Sequence, residues 1–110
     1  MRHIPRSLLP STALVETPDT ASKRGGAFNA PVAIEHVRYE SSASVRRTDY
    51  QLRDGTTGTL YVDAVGSVGG FDIPETSRVQ VDGGEWRSVN ACHRYDERDG
   101  RAHHWEVELR

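Results

Sequence analysis

The stretch Val79-Gln80-Val81-Asp82-Gly83-Gly84-Glu85-Trp86-Arg87-Ser88-Val89 decides how the rest of the chain is read. Val79 and Val81 alternate with polar neighbours into Asp82-Gly83-Gly84, residues that tolerate the positive φ angles of a tight hairpin turn, and Glu85 to Val89 comes back on the other side. Downstream, a second hairpin is expected from Ala91 to Tyr95, a turn at Asp96 to Gly100, and a last strand from Ala102 to Arg110. In that strand Trp105, Val107 and Leu109 share one face, while Glu106, Glu108 and Arg110 share the other, so one face is core and the other is wet or at an interface.

Upstream, Leu60, Val62 and Ala64 alternate with Tyr61, Asp63 and Val65, which reads as a half-buried strand. Val32 to Glu40 is rich in β-branched and aromatic residues, but its apolar positions change phase between Ile34 and Val37. A bulge, or a strand shared between two sheets, accounts for that shift. No window carries a capped 3.6-residue period, so helices are expected to be absent or a turn or two long. The fold class is therefore all-β, a small antiparallel barrel or sandwich. Its expected core is Leu60, Val62, Val79, Val81, Trp105, Val107 and Leu109.

Two segments do not read as barrel strands. Residues 1–31 hold Pro5, Pro10, Pro18 and Pro31, and prolines at that spacing disfavour a long helix or a central strand. This segment reads either as a disordered tail or as an extended arm on a neighbouring subunit, with Ile4, Leu8, Leu9, Leu14 and Val15 as apolar anchors. The domain division is accordingly an arm over 1–31 and a barrel over 32–110. The second segment is the internal loop 41–58, from Ser41 to Gly58, which is polar and longer than a hairpin needs. Its Arg46, Arg47 and Arg53, with Tyr50 among them, are the one cluster suited to phosphate and base contacts, against the plainer reading of a solvated loop paired with Asp49 and Asp54.

Composition narrows the function. The chain has 110 residues, 35% hydrophobic, enough for one domain with a lean core that favours help from neighbours. A formal net charge of −2 provides no global field toward nucleic acid or anionic membrane. The single Cys92 excludes an internal disulfide and fits a reducing cytoplasm. Prolines interrupt the start before a signal-peptide core forms, and no apolar run has the length of a membrane helix, so a soluble protein without membrane association is expected.

No catalytic residue, metal or cofactor is expected. Cys92-His93 and His103-His104 would lie alongside each other if their strands pair, but neighbours in a strand point to opposite faces, leaving too few ligands for one ion. The alternative is that one of these histidines packs against Trp105 and another hydrogen-bonds at the surface. The Asp96 to Gly100 turn lacks the ligand alternation of a calcium loop, and there is no nucleophile elbow or glycine-rich phosphate cradle.

The opening MRHIPRSLLP, the strand ending HVRYESS, the run GTLYVDAVGS, the hairpin VQVDGGEWRSV and the closing HHWEVELR occur in the order seen in a family of tailed-phage minor capsid proteins. The chain resembles head-closure, or stopper, components of the connector between capsid and tail. The resemblance implies a non-enzymatic virion subunit at the capsid-tail junction, assembled in the host cytoplasm. It further implies a homo-oligomeric ring of roughly six or twelve copies related by a closing heterologous interface. Portal and adaptor proteins would lie above, a tail terminator or tail-completion protein below, and packaged double-stranded DNA near a lumen loop carrying Arg46, Arg47, Tyr50 and Arg53. Two rivals remain: an adaptor or tail-terminator role in the same apparatus, and a free-standing β-sandwich using Trp86, Trp105 or Tyr61 to stack on a small ligand.

Overall fold

The computed structural model describes residues 2–20, 27–41 and 55–110. A short 3₁₀ turn over Arg6–Leu8 precedes six strands: β1 (Ser11–Glu16), β2 (Val32–Ser41), β3 (Gly58–Asp63), β4 (Arg78–Val81), β5 (Trp86–Asp96) and β6 (Ala102–Leu109). All pairings are antiparallel, and the order β1-β2-β3-β6-β5-β4 returns to β1, closing the barrel. Closure leaves no row of unpaired backbone groups along an edge strand.

The Val79–Val89 hairpin forms as its sequence demands. Asp82 and Gly83 both take positive φ, 49° and 73°, and Gly84 N–H donates to the Val81 carbonyl at 3.0 Å, a turn whose twist matches that of the flanking strands. The returning strand runs further than expected. Glu85–Val89 and Ala91–Tyr95 are not separate strands: Trp86 to Asp96 is continuous, with the register slipping between Val89 and Ala91 so that Asn90 is bulged out. The phase change in β2 has a matching cause. The register against β1 jumps from Glu35 to Val37, His36 takes φ 59°, and Ile34 and Val37 are both fully buried. The first half of β2 pairs with β1 and the second half with β3, so the strand is shared and bulged at once.

The arm boundary at residue 31 needs correction, because Ser11–Glu16 is a barrel strand. It pairs with β2 on one side and with β4 on the other, and without it the barrel would stay open. Pro10 and Pro18 flank this strand rather than interrupt it, so no ladder hydrogen bond is lost. Ala13 and Val15 point inward, both at 0% exposure, while Leu14 and Glu16 face outward and are half-buried.

Inside the barrel lie Ala13, Val15, Ile34, Val37, Leu60, Val62, Ile73, Val79, Val89, Trp105, Val107 and Leu109, with Val81 half-buried at the margin. Trp105 satisfies its indole N–H by donating to Asp72 Oδ1 at 2.6 Å. Glu108 departs from expectation: on the outward face of β6 it is nevertheless 0% exposed. Thr56 Oγ1 donates to its Oε1 at 2.8 Å and His93 Nε2 lies 2.5 Å from its Oε2, so the carboxylate is buried with partners. Among the described residues no helix is long and apolar enough to cross a membrane.

Candidate functional site

The densest polar chemistry sits where β3 ends. Asp63 is the last residue of that strand, and the chain turns immediately through Ala64-Val65-Gly66-Ser67. Its carboxylate accepts the backbone N–H of Val65 at 3.0 Å and of Gly66 at 2.7 Å, fastening the turn, while its own N–H donates to Ser67 Oγ at 2.9 Å. The same carboxylate takes the N–H of Ile4 at 3.0 Å and faces His3 Nδ1 at 3.0 and 3.2 Å. One side chain therefore fixes a local turn and clasps the N-terminal segment across this end of the barrel.

Further contacts extend the clasp. Arg6 Nε donates to the Gly66 carbonyl at 3.1 Å, and Leu9 is buried to 1% exposure. Burial pushes the Asp63 carboxyl up, but hydrogen bonds from the Gly66, Ile4 and Val65 backbones, with His3 beside them, outweigh it and leave the pKa below its ordinary 3.8. His3 stacks on His103 with centroids 4.4 Å apart, and its Nε2 lies 3.4 Å from Glu97 Oε1 in the β5–β6 turn. His103 meets His104 edge-on, their Nδ1 atoms 2.8 Å apart. His104 in turn stacks on Tyr95 at 4.6 Å and places Nε2 3.1 Å from Glu106 Oε2.

The structure redistributes the residues singled out in the sequence. Of the expected inter-subunit anchors, Leu9 and Val15 are spent on this chain's own interior, Leu14 and Ile4 are half-buried, and Leu8 stays 50% exposed. Leu8 and Ile4 line a cleft of about 350 Å³ with Arg38, Glu40 and Tyr61. Arg46, Arg47, Tyr50 and Arg53 lie outside the described residues. The ends of their connection are fixed, because Ser41 and Gly58 form the last rung between β2 and β3.

The three aromatics offered for ligand stacking have other occupations. Trp105 is 5% exposed in the core. Trp86 is covered on one face by the Arg78 guanidinium at 4.9 Å, which also lies 4.5 Å from the Phe28 ring and pairs with Glu16. Tyr61 is half-buried, and its hydroxyl pKa is pushed up to about 12 by desolvation and by Glu40 and Glu106. Burial also pushes the Cys92 thiol up, which disfavours the nucleophilic thiolate at neutral pH.

His3, Asp63 and Glu97 did not stand out in the sequence. The one local signal is Asp63 followed by Gly66-Ser67, a pattern in which a carboxylate caps the N–H groups of its own turn. Nothing local points to the N-terminal segment about sixty residues away as its other partner.

Fold and site together define a small closed β-barrel whose polar clasp holds its own N-terminal segment over one end. The profile of the minor capsid protein family matches residues 11–109, from the first strand to the end of the last, and the chain belongs to that family. It is thereby a structural component of the virion. No curated protein and no solved structure matches the chain.

Proposed function

We propose that this minor capsid protein is the head-closure subunit of a tailed-phage connector, forming a ring below the portal and adaptor and offering the surface on which the tail docks. The observation that carries this reading is the β2–β3 connection. Its two ends, Ser41 and Gly58, face one another on the last rung between β2 and β3 of a closed scaffold. In sequence that segment holds Arg46, Arg47, Tyr50 and Arg53, side chains able to meet phosphate and stack on bases in a channel containing DNA.

Barrel closure adds support of a second kind. With no free sheet edge to extend, copies would associate through surface side chains, and among the described residues Leu8, Val32, Val65, Val68 and Trp86 are the large hydrophobics left exposed. The role is mechanical and needs no turnover. Cryo-electron microscopy of the capsid-tail junction tests it. A ring of this chain on the portal axis with residues 42–57 toward the channel is the expected result; a different location, or copies that form no ring, overturns it.

A further inference from the structure

We propose that His3, Glu97 and His103 bind one transition-metal ion of the zinc class, tying the N-terminal segment to the β5–β6 hairpin. His3 is remote in sequence from Glu97 and His103, which share the β5–β6 hairpin, yet one ligand atom of each of the three lies within 4.8 Å of the others. His3 Nε2 and Glu97 Oε1 are already 3.4 Å apart, matching the roughly 3.4 Å between neighbouring ligands of a tetrahedral site with bonds near 2.1 Å.

The hydrogen bonds around the cluster determine which atoms are bare. Glu106 carboxylate can only accept, so His104 carries its proton on Nε2, and in the neutral ring Nδ1 is the acceptor. The proton between the two Nδ1 atoms then belongs to His103, and neutral His103 presents a lone pair at Nε2. That Nε2 is buried with no hydrogen-bond partner, in a residue only 3% exposed. By the same reasoning His3 keeps its proton on Nδ1 and donates it in a hydrogen bond to the Asp63 carboxylate, leaving the His3 Nε2 lone pair toward Glu97.

The result is a convergence of acceptors. Two imidazoles are held in the tautomer that bares Nε2, one by a carboxylate directly and the other by a carboxylate acting through a second histidine, the outer-shell arrangement that orients histidine ligands on metals. A proton on His3 would satisfy Glu97 but leave His103 Nε2 without a partner; a divalent cation satisfies all three. Two nitrogens and a carboxylate suit zinc better than calcium or magnesium, and three protein ligands leave a fourth position for water or a neighbour's side chain. The His3 and His103 rings are now stacked 16° from parallel, so binding must tip the His3 ring until both lone pairs meet one ion.

Untagged full-length protein, stripped with chelator and dialysed, is titrated with zinc chloride by calorimetry and separately with cobalt chloride in the visible spectrum. The expected result is one zinc per chain, tetrahedral cobalt bands displaced by zinc, and a higher melting temperature with metal. His3→Ala and Glu97→Gln, which alter the segment and the turn rather than the core, are expected to weaken binding at least tenfold, while Cys92→Ser leaves it unchanged. The proposal is overturned if folded wild type binds no zinc at equimolar concentration, if both ligand variants bind like wild type, or if Cys92→Ser abolishes binding.

Discussion

Asp63, through its carboxylate, accepts backbone N–H groups from two segments about sixty residues apart, Ile4 on one side and Val65 with Gly66 on the other. Replacing it by Asn preserves shape but removes the charge and one accepting oxygen, leaving part of the set Ile4, Val65 and Gly66 N–H unpaired. The expected loss is about 2–3 kcal/mol, read from urea denaturation at neutral pH. The pH dependence has a definite sign. Because the folded pKa is lowered, the stabilisation is complete above the ordinary value of 3.8 and is lost as pH falls from there through the folded value. Denaturation midpoints measured down this range should show Asp63→Asn with a shallower acid decline than wild type; equal declines would remove Asp63 from the account. Sequence reveals little of this site, since alternation says which face a residue is on and not what covers that face. Glu108 makes the same point. Its outward parity was legible, whereas its burial beneath Thr56 and His93 depends on residues from two other parts of the chain.

Among elements, the strands with clean alternation were legible: β3, β4 and β6 place Leu60, Val62, Val79, Trp105, Val107 and Leu109 inward as their sequences indicate. β1 is obscured by the prolines on either side of it, which argue against a strand only where they interrupt one, and the bulge at Asn90 imitates a break in the hydrophobic pattern of β5. The N-terminal segment stands between these cases, neither a strand nor a free tail. Its docking depends on the absence of a side chain at Gly66, where a Cβ would lie 2.7 Å from the Ile4 carbonyl oxygen and 3.0 Å from Leu9 Cδ1. Gly66→Ala is therefore expected to cost about 1–3 kcal/mol. Hydrogen exchange should show where: the Leu8 and Leu9 amides, bonded to Pro5 and Arg6 carbonyls, should lose protection before the amides of β3 and β6. Uniform loss across the barrel would mean that the segment is an integral part of the core.

For the whole molecule, the surface left apolar after closure separates folding from assembly. Leu8→Asp and Val65→Asp alter residues 50% and 66% exposed, so each should change monomer stability by no more than about 0.5 kcal/mol. In the proposed ring they should prevent incorporation into particles, and full incorporation of both variants would move the contact surface elsewhere. Closure also orders events in time. β6 is the strand that joins β3 to β5, and β1 must meet β4 across most of the chain, with Ala13 opposite Val81. Pairings so distant in sequence place folding in the millisecond-to-second range expected of small β-barrels. A chain ending at Arg101 should accordingly show no cooperative unfolding transition, because β3 and β5 would each lose their partner. During synthesis the same geometry holds closure back until β6 has left the ribosome, because β3 and β5 meet only through it, and until then nascent chains have no finished surface on which to assemble.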